Sequence, residues 1–256
     1  MTDSTKIQIS PEVPVARITL HRPEKLNALD PEMLTALEAG LSLLEGRRDI
    51  RVIILQATGE KAFCVGADIN AWTALTPLQM WSEWIRHGHR VFSRLLQLRQ
   101  PVICAIQGLA FGGGLELALA CDVRIASESA RFAMPEVKLG TVPGWGGTAR
   151  LPELIGTGRA RQMILSGEPV NAAVAEHWGL LNEVVSGDRL IARVEELANR
   201  IAANAPIAVQ TAKQLVAGGN MVTLESIAAA TNAFTQDAAE GLAAFREKRN
   251  PSFQGL

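Results

Sequence analysis

The sequence predicts an α/β fold built on a parallel sheet, and three observations carry that prediction. Short apolar runs of strand type recur along the chain: VPVARITL at residues 13–20, RVIILQA at 51–57 and VICAI at 102–106. Apolar, β-branched runs of this length suit buried strands. Segments with apolar residues at helical spacing lie between them, and such alternation is the pattern of a parallel sheet covered by helices. Lastly, within residues 100–150 a strand-like run meets a Gly-rich turn and then a good helix former, so this stretch reads as strand, turn and helix N-terminus.

Taken in order, residues 13–20 form the first predicted strand, and the loop HRPEKLNALD follows. Asp30 is placed to cap a helix whose first residue is Pro31, where a missing N–H does no harm. Leu34, Leu37, Leu41 and Leu44 give that helix one apolar face. Residues 51–57 read as a fully buried strand. The next run, AFCVGADI at 62–69, meets Gly66, which marks a strand end or bulge where main-chain groups become available to a ligand.

Thr76 and Pro77 open a long predicted helix with Trp81, Ile85, Phe92 and Leu95 near one stripe, which fits a core face better than a platform for nucleic acid. His87 and His89 lie two apart on it and point to different sides, a poor arrangement for a metal. His21 and His177 stand alone, so no catalytic histidine and no metal site are expected. Residues 157–182 read as two short helices with a Gly at each end. Lys213 belongs to an amphipathic helix that begins near Pro206. Residues 224–249 read as helical and alanine-rich, punctuated by Gly241, with cations in the last turn before Pro251.

A chain of 256 residues fits one large domain, or a domain with an appendage, and can bury a sizeable core. With 48% hydrophobic and 20% charged residues it has the composition of a soluble globular enzyme. A net charge of −1 gives no electrostatic case for nucleic acid or a membrane surface as partner. Cys64, Cys104 and Cys121 sit in apolar or small-residue runs without metal-ligand spacing, so they read as buried thiols in a reducing compartment. MTDSTKIQIS has no apolar core or Arg-rich pattern of a targeting signal, and no apolar run approaches membrane-spanning length. The expected location is cytoplasmic.

The chemistry is sought in residues 100–150. Gly112, Gly113 and Gly114 precede LELALAC, which carries Glu116 in its first turn. Glycines permit positive φ and a close approach to the main chain. The first N–H groups of a helix lack intrahelical partners and favour negative charge. Such a junction can hold a phosphate or an oxygen that becomes anionic during a reaction. GLAFGGGLE lacks the Lys-Ser/Thr of a P-loop and the spacing of GxGxxG, which weakens the phosphate option. Glu136, in the separate turn MPEVKLG, lies ahead of a second Gly-rich segment, VPGWGG. Two glutamates flanking a backbone anion site form a general acid/base set. The plainer alternative is a tight turn with two solvated glutamates.

The segment GLAFGGGLELALACDVRIASESARFAMPEVKLGTVPGWGGTARLPELIG resembles the signature region of the enoyl-CoA hydratase/isomerase (crotonase) family. HRPEKLNAL, AFCVGADI and EGLAAFREKRNPSF resemble it too, in the right order and over nearly the whole chain. The resemblance implies repeated ββα units wound as a spiral over residues 1–200, and a helical region over 201–256 that mediates trimer formation. It implies acyl-CoA thioesters as substrates, with coenzyme A part of the substrate and no separate cofactor. It also implies a homo-oligomer, a trimer or a hexamer made of two trimers.

By the same resemblance the thioester oxygen is held by the N–H groups of Ala67 and Gly113, and Glu116 and Glu136 are the catalytic pair. Glu136 takes chiefly the proton at C2, and Glu116 positions water. Both glutamates favour a hydratase, since typical isomerases of the family keep only the counterpart of Glu136. The substrate-binding set it implies is Lys25, Leu26, Ala28, Asp68, Ile69, Asn70, Gly112, Trp145 and Lys248, the last beside Arg249 in a basic cluster near the CoA phosphates. Lys25 reads equally as a phosphate contact or a plain surface lysine. Trp145 stands where many hydratases carry a smaller residue, and it reads as a wall of the acyl pocket or as core packing. Residues 70–98 show no substrate-specific motif. A non-catalytic CoA-binding scaffold is the reading from another class; RNA binding lacks the basic composition it needs.

Overall fold

The computed structural model describes residues 5–217 and 222–256. Residues 1–4 of the stretch MTDSTKIQIS, and residues 218–221, lie outside the described residues. Strand β1 (Ile7–Ser10) runs antiparallel to β2 (Val15–Leu20), and helix α1 (Pro31–Glu45) follows. The Asp30 side chain accepts a hydrogen bond from Met33 N–H at 2.8 Å, with Pro31 in the first helical position. Leu34, Leu37, Leu41 and Leu44 are all fully buried.

Three turns of a spiral come next, and each gives one strand to each of two sheets. The first holds β3 (Val52–Ala57), β4 (Ala62–Cys64), α2 (Ile69–Trp72), α3 (Pro77–Gln79), a π-helical turn at Met80–Trp84 and α4 (Ile85–Gln97). The second holds β5 (Val102–Ile106), β6 (Leu109–Phe111) and α5 (Gly113–Leu119). The third holds β7 (Val123–Ser127), β8 (Arg131–Ala133), α6 (Gly147–Ile155) and α7 (Thr157–Ser166). After β9 (Val170–Asn171), α8 (Ala172–Trp178) and β10 (Glu183–Val185) the chain is helical: α9 (Leu190–Ala202), α10 (Pro206–Ala217), α11 (Val222–Ala233) and α12 (Gln236–Glu247).

The larger sheet has the order β1-β2-β3-β5-β7-β10 and the smaller β4-β6-β8-β9. From β2 to β10 in the larger sheet, and from β4 to β8 in the smaller, neighbours are parallel. This is the spiral of ββα units with a helical C-terminal region that the resemblance implies. Strand side chains alternate between two cores, as a period of two requires. Ile53, Leu55, Val102, Cys104 and Ile106 face the larger core. Val52, Ile54, Ile103 and Ala105 pack with Leu190, Val194, Ala198 and Ala202 of α9. Burying each large apolar side chain of this kind stabilises by about 1.5–3 kcal/mol. Cys64, Cys104 and Cys121 are free and buried, and burial pushes the Cys64 thiol up to about 12.

The structure differs from the sequence expectations in three places. The helix opened by Thr76 is not uniform: Ile85 N–H donates to Met80 C=O, closing a π turn. One extra residue in a turn shifts the helical phase by about 100°. Trp81, expected on the core stripe, is 66% exposed, whereas Phe92 and Leu95 are buried. The helix expected over 224–249 breaks after Ala233, where Thr235 accepts from Ala238 N–H at 3.1 Å and starts α12 afresh. The strands of the smaller sheet are only two or three residues long and carried no period in the sequence.

Candidate active site

Two loops meet at Gly66 and Gly113. Leu29 N–H donates to Gly66 C=O at 2.7 Å and Asp68 N–H to Leu29 C=O at 2.8 Å, a parallel bridge that fixes the chain leaving β4. Gly66 has φ +96°, and a Cβ there would lie 2.9 Å from Gly113 N and 3.0 Å from Phe111 O. Only glycine allows both that backbone and that approach. Across from it, Gly112 turns the chain at φ +50° and its N–H donates to Ala133 C=O at 2.9 Å. Gly113 then begins α5.

Ala67 N–H and Gly113 N–H have no acceptor among the described residues. Both residues line one cleft of about 650 Å³, counting its open mouth, together with Glu116, Glu136 and Trp145. Two free amides on one cleft, one of them at a helix start, are suited to an oxygen that gains negative charge.

The two glutamates sit in different settings. Glu116 is 2% exposed, and its Oε1 accepts from Trp145 N–H at 2.8 Å and Gly147 N–H at 2.7 Å. Burial pushes its pKa up, while those two amides and the Arg150 charge oppose the shift. Glu136 opens a 3₁₀ turn (Glu136–Leu139) and is half-buried. Burial, with a smaller contribution from the Glu116 charge, pushes it up to about 7. Its Oε2 is buried and has no hydrogen-bond partner among the described residues, and its Oε1 lies 3.0 Å from where a Cβ on Gly112 would stand. A carboxyl that titrates near neutrality can both give and take a proton. Among the described residues no cluster of three or more His, Cys, Asp or Glu side chains is placed to hold a metal ion.

Of the residues singled out in the sequence, the cleft gathers Ala67, Ile69, Gly112, Gly113, Glu116, Glu136 and Trp145. Lys25, Leu26, Ala28, Asp68 and Asn70 lie outside its lining, on two loops tied together at its side. Val65 N–H donates to Leu26 C=O at 3.2 Å, and Arg22 Nη1 bridges Ala28 C=O at 2.9 Å and Asp68 at 2.8 Å. Lys25 ends a one-turn 3₁₀ helix and is exposed. Lys248 is an exposed C-cap of α12 at φ +55°, and its neighbour Arg249 is held by Glu240 at 2.6 Å. Neither Lys248 nor Arg249 borders the cleft.

The sequence reading missed Arg22, the fully buried Asn27 and Arg150. Asn27 receives Arg22 N–H and donates to Thr58 C=O and Ala62 C=O. Arg150 donates to Trp145 C=O at 2.8 Å. The only signal any of them offered was a polar residue inside a motif, and each acts by holding a loop.

The enoyl-CoA hydratase/isomerase family model matches residues 11–255. YngF of Bacillus subtilis, provisionally named enoyl-CoA hydratase/isomerase, is 45% identical over 94% of this chain and 95% of its own. The short-chain-enoyl-CoA hydratase of Clostridium acetobutylicum is 40% identical over 92% of each chain. The 1.8 Å crystal structure of an enoyl-CoA hydratase from Bacillus anthracis aligns with a TM-score of 0.94 and 39% identity, covering 98% of this chain and 100% of that one.

Proposed function

We propose, from the premise that this chain belongs to the enoyl-CoA hydratase/isomerase family, that it adds water across the 2,3 double bond of a 2-enoyl-CoA thioester. The observation that carries the reading is the pair of glutamates on the same cleft as two free backbone amides.

In this reading the thioester oxygen lies between Ala67 N–H and Gly113 N–H. Glu116, anchored through Oε1, holds a water and takes its proton as the oxygen attacks C3. The resulting enolate is stabilised by the two amides, each typically lowering the barrier by about 3 kcal/mol. Protonated Glu136 then delivers a proton to C2, so the water's oxygen and one hydrogen end on C3 and a hydrogen ends on C2. The two carboxyls share one proton throughout, and their titration belongs to the pair. At the CoA end, Lys25, Leu26, Ala28, Asp68, Ile69, Asn70 and Lys248 are the proposed contacts, with coenzyme A entering as part of the substrate. Isomerisation of a 3-enoyl-CoA needs only Glu136 and is the competing activity.

The test follows crotonyl-CoA by loss of its enoyl absorbance, alongside conversion of a 3-enoyl-CoA to the 2-enoyl isomer. Efficient hydration supports the reading. Efficient isomerisation without hydration makes the protein an isomerase.

A further inference from the structure

We infer that the Trp145 indole seals the inner end of the cleft and confines the substrate to short acyl chains. This deepens the acyl-CoA reading above and rests on it.

The cleft has an open and a closed end. Its rim carries Ile69, Leu139 and Val142, which are 47%, 53% and 66% exposed, whereas Trp145 and Trp84 are 2% and 6% exposed. A nucleotide-bearing thiol as large and charged as coenzyme A has to remain at the open end, so the acyl chain runs inward, towards the tryptophans.

The indole at that end has nowhere to go. A Cβ on Gly88 of α4 would lie 2.3 Å from its Nε1 and Cε2, so the helix backbone is packed flat on the ring. At the six-membered part of the ring, a Cβ on Gly113 would lie 2.6 Å from Cζ3. The ring is thus wedged between α4 and the residue whose N–H faces the cleft. Trp84 and Phe92 pack against it as well, with ring centroids 5.2 Å and 5.3 Å away. Beside it, a Cβ on Gly144 would lie 2.6 Å from Ile85 Cδ1, so the loop and α4 meet without a gap. Trp145 Nε1 is buried and has no hydrogen-bond partner among the described residues, so packing alone sets the ring's position.

Because the ring lies against Gly113, a chain whose carbonyl is held at Gly113 N–H meets the wall within a few carbons. Longer chains must displace a close-packed ring against main chain, which interiors resist. One methylene in an apolar pocket changes kcat/KM by about 10- to 200-fold.

The experiment measures kcat/KM for four- and eight-carbon 2-enoyl-CoA esters, and Kd for butyryl- and octanoyl-CoA, in the wild type, Trp145→Ala and Trp145→Phe. Wild-type protein should favour the four-carbon ligand by about tenfold or more in both measurements. Trp145→Ala should reduce that preference by about tenfold, and Trp145→Phe by less. If Trp145→Ala does not fold, the Trp145→Phe ratio decides. Equal use and equal binding of both lengths by the wild type, or an unchanged ratio in the folded variants, overturns the inference. Wild-type protein that binds butyryl-CoA preferentially but hydrates neither ester leaves this inference standing and sinks the hydratase reading instead.

Discussion

Arg150 Nη1 donates to the carbonyl of Trp145 at 2.8 Å, on a peptide loop whose amides at Trp145 and Gly147 hold Glu116 Oε1. A second guanidinium nitrogen reaches Ser93 Oγ of α4 at 3.4 Å. The arginine therefore positions the glutamate without touching it. Arg150→Met should lower kcat for hydration by about 10- to 100-fold, the usual result of an ångström-scale misplacement. KM should move much less, and Arg150→Lys should recover part of the loss. Steady-state kinetics of the two variants check this, and a kcat within twofold of wild type in Arg150→Met would contradict it.

Gly66 makes a sharper prediction. Alanine at this position is strained at φ +96° and brings a methyl to 2.9 Å from Gly113 N. The variant should lose the paired-amide geometry, with kcat down by about 10²- to 10³-fold, the cost typical of one oxyanion donor. Calorimetry should still show coenzyme A binding, because the CoA end of the cleft is not altered.

Glu136 links the site to stability. Burial pushes its carboxyl up to about 7, from the ordinary glutamate value of 4.5. The stabilisation from a raised pKa is complete below pH 4.5 and is lost as pH rises towards 7. Glu136→Gln escapes that loss. Its stability relative to wild type should therefore grow between these pH values and stay level above them, by up to about 3 kcal/mol. Urea unfolding of both proteins across pH 4 to 9 measures the difference; a gap that shrinks as pH rises would contradict the assignment.

Helices α10, α11 and α12, with the turn that joins the last two, expose Val216 at 91%, Phe234 at 90%, Phe245 at 84%, Leu242 at 61% and Ile227 at 58%. Exposed large apolar side chains gathered in one region are typical of surfaces that pack against another protein. We propose that the cover is further copies of this chain, as a trimer or a hexamer of two trimers. Sedimentation of the wild type should give one of those masses, and Phe234→Asp with Phe245→Asp should shift it towards the monomer. A wild-type monomer at micromolar concentration rules the assembly out.

How far the sequence carries this picture depends on whether a residue's task is local. Asp30 and Pro31 start α1 through contacts within one turn, and that was legible. So was the junction at Gly112, where a positive φ and a helix start leave a recognisable run of glycines. Trp81 was misplaced because the π turn at Met80–Trp84 shifts helical phase without any marker residue such as Pro or Gly. The short strands β6 and β8 gain their order from each other, through pairing across the smaller sheet, and three residues cannot display a period. Arg22 and Arg150 were invisible for a related reason: Arg22 serves a carbonyl and a carboxylate and Arg150 a carbonyl and a hydroxyl, groups whose position is fixed only by the fold. At Trp145 the sequence left two readings, and the folded chain supports both at once, since the ring is buried and also lines the cleft.

The division of labour between the glutamates is the central claim, and one pair of variants tests it. Glu116→Gln and Glu136→Gln are assayed for hydration of crotonyl-CoA by loss of absorbance, and for exchange at C2 of a saturated acyl-CoA by deuterium uptake from D₂O. Glu116→Gln should lose hydration by about 10²- to 10⁴-fold, the range for a positioned acid or base, and should keep much of its exchange. Glu136→Gln should lose both by a similar factor. A Glu136→Gln enzyme that hydrates crotonyl-CoA at the wild-type rate would contradict the account.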